Sequence, residues 1–190
     1  ERRIEYLEDH FSNDLYDDIA DNRDLEYARA LYNLNDPEYA LIYLFPDDDM
    51  QHRIIEIICL YSLGNYEATS KSLKEYIIST EQYPNSIGYY KIDNNISTGN
   101  LIWIAEVLGD FECAKQLDSL VFAAHPECKN NPWYVLNQGH IYLYNKNLEM
   151  AAQTYNEAFN MALSMGYVDE SGQNSLRYNL MNDLHILSRF

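Results

Sequence analysis

The sequence predicts an all-α protein, a right-handed α-solenoid of antiparallel helix pairs with about three to four irregular repeats and a terminal capping helix. Three observations carry this expectation. A short motif returns: Leu63-Gly64-Asn65-Tyr66-Glu67-Ala68 reappears as Leu108-Gly109-Asp110-Phe111-Glu112-Cys113-Ala114 and again as Asn145-Lys146-Asn147-Leu148-Glu149-Met150-Ala151. Each copy lies between stretches whose apolar residues recur every three or four positions, the period of a helix. Only 7 Gly and 5 Pro interrupt the chain, and a hydrophobic content of 47% is enough for a packed core.

Taken in order, residues 1–21 read as an N-terminal helical cap, with Ile4, Leu7, Phe11, Leu15 and Ile19 on one face. Residues 22–190 form the array. Its first helix spans 24–34 through Leu25, Ala28, Leu31 and Leu34; Asp36 then caps and Pro37 opens a second, which stops at Pro46. The acidic run Asp47-Asp48-Asp49 suits the positive end of the next helix dipole and has no calcium-loop spacing after it. Residues 50–63 are rich in β-branched Ile, but the stretch exceeds strand length and a Gly-Asn turn leads directly into a partner helix at 66–80. Residues 81–95, with Pro84, Gly88 and several Asn, read as an insertion loop. The pairs 97–108 with 111–124 and 132–145 with 148–165 follow, ended by Pro126 and Gly166. A last helix over 174–189 carries Leu176, Leu180, Leu184 and Leu187.

This pattern resembles the tetratricopeptide repeat (TPR) family. The match is best over 132–163, where Gly139 stands at the small position of helix A, Tyr142 at the large position after it, and Ala151, Tyr155 and Ala158 at the small–large–small positions of helix B. In 97–126, Gly109, Ala114 and Pro126 fit, while Ile102 and Val121 depart from the small residues of the family. In 50–80, Gly64 and Tyr66 fit and Thr69 replaces the usual Ala; in 22–46 only Ala28 and Ala40 remain in place. The resemblance covers roughly residues 22–166 and implies closely crossing helix pairs, with small side chains where axes approach to about 8 Å. It implies a binding surface on the concave, helix-A face and says almost nothing about the ligand.

The charge narrows the partners. Thirteen Lys+Arg against 30 Asp+Glu leave a net charge of −17, which disfavours nucleic acid and direct contact with anionic membrane. No apolar run approaches the roughly 20 residues of a transmembrane helix. The chain begins at Glu1 rather than Met, so a processed or cut N-terminus is expected, and the compartment is not encoded, with the cytoplasm favoured unless a leader was removed. Cys59, Cys113 and Cys128 are an odd count without a CxxC and read as free thiols. Asn95-Ile96-Ser97 matches the glycosylation sequon, which matters only in a secreted chain.

No catalytic or metal motif is present. His10, His52, His125, His140 and His185 form no i,i+4 pair, and there is no HExxH, GxSxG, P-loop or GxGxxG. No cofactor, no metal site and no enzymatic activity are expected. By helical register, the outward positions of helix A are Ile54, Ile58 and Tyr61, then Asn100, Trp103 and Glu106, then Trp133, Leu136, Asn137, His140 and Tyr144. Of these, Tyr61, Asn100, Trp103, Glu106, Trp133, Asn137, His140 and Tyr144 form an aromatic and amide-rich candidate binding strip, since Trp and Tyr anchor interfaces and Asn pairs with peptide backbone. The competing assignment is that Trp103 and Trp133 pack between repeats. The family's carboxylate-clamping members use Lys and Arg on this face; none stands here, so a neutral, apolar or basic protein segment is the expected partner.

The sequence therefore points to a non-catalytic protein–protein interaction module. The alternatives are a regulatory or sensor domain excised from a larger protein, and a small-ligand or peptide receptor closed by the loop at 81–95. Oligomeric state is not encoded.

Overall fold

The computed structural model describes residues 23–44, 50–82, 98–168, 172 and 175–188. These form nine α-helices, one 3-10 segment and no strand: α1 (Arg23–Asn33), α2 (Pro37–Ile42), α3 (Met50–Ser62), α4 (Tyr66–Gln82), α5 (Thr98–Val107), α6 (Phe111–Ala124), the 3-10 turn Pro126–Asn130, α7 (Pro132–Tyr144), α8 (Leu148–Ser164) and α9 (Ser175–Leu187). The all-α class and the helix boundaries read from the sequence match to within a few residues. The N-terminal cap at 1–21, the acidic run at 47–49 and the insertion loop from residue 83 onward lie outside the described residues.

Four helix pairs are built by the same three-residue reversal. Asn35, Gly64, Gly109 and Lys146 each adopt a positive φ, between 60° and 78°. The residue after each one donates its amide back to the carbonyl five positions earlier: Asp36 to Leu31, Asn65 to Leu60, Asp110 to Ala105 and Asn147 to Tyr142, at 2.9–3.0 Å. That bond closes the end of the first helix in the manner of a Schellman cap. The same residue then caps the next helix through its side chain, with Asp36 accepting from the Tyr39 amide, Asn65 from Ala68, Asp110 from Cys113 and Asn147 from Met150. One Asp or Asn thus ends one helix and starts another. In the fourth reversal the left-handed position is filled by Lys146, although the other three use Gly or Asn.

The pairs α1–α2, α3–α4, α5–α6 and α7–α8 pack internally, and the first helices touch in succession, α1 on α3, α3 on α5 and α5 on α7; α4 also touches α6. The main core runs through Ile54, Ile57, Leu73, Tyr76, Leu101, Ile104, Ala114, Leu117, Ala158 and Leu176, and a smaller one joins Leu25, Ala28, Leu31 and Ala40 to Ile55 and Cys59 of α3. Tyr76 of α4 and Thr98 of α5 share a buried hydroxyl–hydroxyl hydrogen bond of 2.9 Å. The Thr69 hydroxyl, where the family pattern has Ala, donates to Asn65 O at 2.8 Å and is buried without an orphaned polar group.

Close helix approach is clearest in α7–α8. A Cβ built on Gly139 would overlap the Tyr155 ring, and Ala151, Ala158 and Ala162 lie buried along the facing side of α8. The absence of a side chain at Gly139 of α7 is therefore required by the Tyr155 ring of α8.

Two stability predictions follow from this geometry. Lys146→Gly relieves a left-handed side chain and should raise unfolding stability by about 0.5–1 kcal/mol, net of the added freedom of the unfolded chain; a lower denaturant midpoint would refute it. Gly139→Ala should cost about 1–3 kcal/mol by overpacking, and much less in a Tyr155→Leu background, where additive costs in a double-mutant cycle would refute the contact.

Candidate functional site

Where α5, α7 and α9 meet, the apolar core is interrupted by a cluster of ionisable groups. His140 Nδ1 and Glu106 Oε2 are hydrogen-bonded at 2.8 Å, with both side chains fully buried. Asp183 of α9 brings Oδ2 to 4.0 Å from His140 Nε2 and accepts from the Trp103 indole N–H at 3.1 Å through Oδ1. The Tyr155 ring meets His140 edge-on, with centroids 5.7 Å apart. Glu106 Oε1, His140 Nε2 and Tyr155 Oη are buried with no hydrogen-bond partner among the described residues.

Helical register places these groups. Trp103 and Glu106 are one turn apart on α5, Gly139 and His140 adjacent on α7, and Tyr155 faces both from α8; Asp183 lies on the apolar side of α9 with Leu176, Leu180 and Leu187. Burial raises the Glu106 carboxyl to about 7, more than its bond with His140 lowers it, and Asp183 pushes in the same direction as burial. Burial likewise raises the Asp183 carboxyl, against the stabilising indole N–H and His140.

Around this cluster the predicted strip is divided. Tyr61 and Trp103 are half-buried and meet edge-on at 5.6 Å, with Tyr66 beyond Tyr61 at 5.8 Å. Trp133 and Asn100 are also half-buried. The expectation of an open strip does not hold at Glu106, Asn137 and His140, which are 0%, 5% and 1% exposed; α9 packs against α5 and α8 and carries Asp183 onto His140. Asn137 donates to Gly99 O at 3.4 Å and ties α7 to α5. Ile54, Ile58 and Leu136 are core residues. Tyr144 points away from the cluster: its ring stacks on Phe111 at 4.0 Å with Lys115 above it.

Sequence reasoning missed Asp183 and the edge-on contact of Tyr155 with His140. The signal was Asp183 itself, an acid three positions after Leu180 and four before Leu187, on the apolar side of a helix where only a partnered carboxylate is tolerated. A second polar group, in which Gln138 Nε2 donates to Asp118 Oδ1, joins α7 to α6. Burial raises the Asp118 carboxyl, while Tyr134 and Gln138 oppose the shift. The cysteines are all buried and free, and burial pushes the Cys59 and Cys113 thiols up to about 12, away from nucleophilic use.

Among the described residues no group of three or more His, Cys, Asp or Glu is placed to hold a metal ion, and no helix is long and apolar enough to cross a membrane. No protein-family model matches the chain, and no curated protein or solved structure matches it either.

The cluster should be visible in the pH dependence of stability. A carboxyl raised by folding binds its proton more tightly in the native state, so its contribution is fully present below its ordinary value of 4.5 and is lost as pH rises through about 7. Relative to Glu106→Gln, the native chain should therefore lose melting temperature across that window. Parallel curves for the two proteins would refute the assignment.

Proposed function

We propose that the helix pairs form a TPR-like α-solenoid that acts as a non-catalytic protein–protein interaction module, with its ligand surface on the helix-A side. The observation that carries this reading is the edge-on pair of Tyr61 of α3 and Trp103 of α5, with Trp133 at the start of α7, three aromatic side chains that pack against the main core and stay partly exposed. Rigid aromatic side chains presented by successive helices are anchors of the kind that dominate interface energies. The solenoid part rests on the recurrence of one turn at four positions, the serial contact of α1, α3, α5 and α7, and the small-on-large crossing at Gly139 and Tyr155.

A non-catalytic role is supported by the condition of the ionisable groups. Glu106 and His140, the pair best suited to acid–base work, are fully buried and covered by α9, so a substrate has no route to their reacting atoms in this arrangement. The partner is a protein segment, neutral, apolar or basic toward the open part of the strip, where a net charge of −17 favours cations over anions.

The test is affinity capture from source-cell lysate with the native chain and with a Tyr61→Ala/Trp133→Ala variant of unchanged melting temperature, followed by direct titration of the recovered protein. Loss of at least about tenfold in affinity is expected, equivalent to about 1.4 kcal/mol from two anchors. Equal binding by both chains removes the aromatic line as the site, and failure to recover any direct binder removes the module reading.

A further inference from the structure

Resting on the interaction-module reading, we propose that α9 fills the groove between α5 and α8, over His140 of α7, as a ligand supplied in cis, and that the partner competing for this groove is an amphipathic helix bearing one carboxylate among aliphatic anchors. α9 is joined differently from the helices before it. Pairs α1–α2, α3–α4, α5–α6 and α7–α8 each close through a left-handed residue and an Asp or Asn cap, whereas α8 ends at its own reversal around Gly166 and α9 begins only at Ser175. The described contact between the start of α9 and the end of α8 is one hydrogen bond, Ser175 Oγ donating to Tyr167 O at 3.4 Å, while the inward face of α9 packs on α5 and α8.

That face has the spacing of a helix-in-groove ligand: Leu176, Leu180, Asp183 and Leu187, all buried. The outward face is exposed, with Met181 at 70%. A helix of 13 residues has little stability of its own in water, so its order comes from the groove. The groove supplies a polar address as well as an apolar one. The Trp103 indole N–H donates to Asp183 at 3.1 Å and the His140 ring stands 4.0 Å away on the other carboxylate oxygen. Both recognising groups belong to α5 and α7, which hold them by the Glu106–His140 hydrogen bond and the Asn137 link to Gly99. The site therefore selects a helix by a carboxylate at the third anchor, a requirement that the overall negative charge of the chain would never suggest.

The experiment is a fluorescence titration of a labelled peptide of residues 175–188 into the full-length chain and into its Leu180→Glu/Asp183→Lys variant, whose own α9 is disfavoured. The peptide should bind the variant roughly tenfold tighter than the native chain, and the same peptide carrying Asp183→Asn should lose roughly tenfold. A helical, cooperatively melting variant that binds neither peptide, or binds both equally, overturns the proposal. If the variant does not fold, hydrogen exchange on the native chain decides: α9 amides exchanging well before those of α5–α8 support the proposal, and exchange only together with them overturns it. Neither measurement uses a cellular partner, so loss of this proposal leaves the Tyr61 and Trp133 surface standing, and loss of that surface leaves this groove testable.

Discussion

Reversing a helix within three residues requires one residue with a positive φ and one side chain that can satisfy the free amides of the next helix. Here the two requirements fall on neighbouring positions: Asn35 and Asp36, Gly64 and Asn65, Gly109 and Asp110, Lys146 and Asn147. The constraint is local, yet the packing depends on it. It fixes the angle and offset at which the second helix returns, and hence brings Ala151, Tyr155 and Ala158 against Gly139 and its neighbours. A longer connection would let the crossing slide, and the Gly139–Tyr155 contact would then lose its partner.

A different economy governs the junction of α5, α7 and α9. Glu106, His140 and Asp183 are desolvated together, and such a cluster is weak support for stability because burying the charges offsets most of their attraction. Apolar residues of similar size would pack there without that penalty. What the cluster supplies is specificity: a helix carrying Leu at the Asp183 position would leave the Trp103 indole N–H without its acceptor and remove the carboxylate that stands 4.0 Å from the His140 ring. The position of α9 is thus defined by one carboxylate as much as by Leu176, Leu180 and Leu187.

The elements were legible because they rest on short-range chemistry. Periodicity located the helices, and the returning motif located the turns, including the irregular copy at Lys146 whose left-handed φ the residue type itself disfavours. The Gly139–Tyr155 crossing was also readable, since a glycine amid large residues in a helix needs a steric reason. The candidate strip was legible only in part. Register correctly put Trp103, Glu106, Asn137 and His140 on one side of their helices, but register says nothing of what arrives there from far along the chain. Asp183 is 80 residues from Trp103. Tyr144 is a related case: at the last turn of α7 it stays 46% exposed, and its ring stacks on Phe111 of α6.

These two levels of order meet in α9. The helices before it are paired by their turns, so their arrangement is encoded wherever the motif is written. α9 has no such turn to α8 and takes its place through a side-chain code of three leucines and an aspartate read by α5, α7 and α8. A segment placed by recognition rather than by connection is chemically equivalent to a bound partner, differing only in the effective concentration that the chain confers. The same physics that completes the core therefore defines what the groove selects, and the carboxylate that closes the structure on Trp103 and His140 is also the feature by which a competing helix would be distinguished.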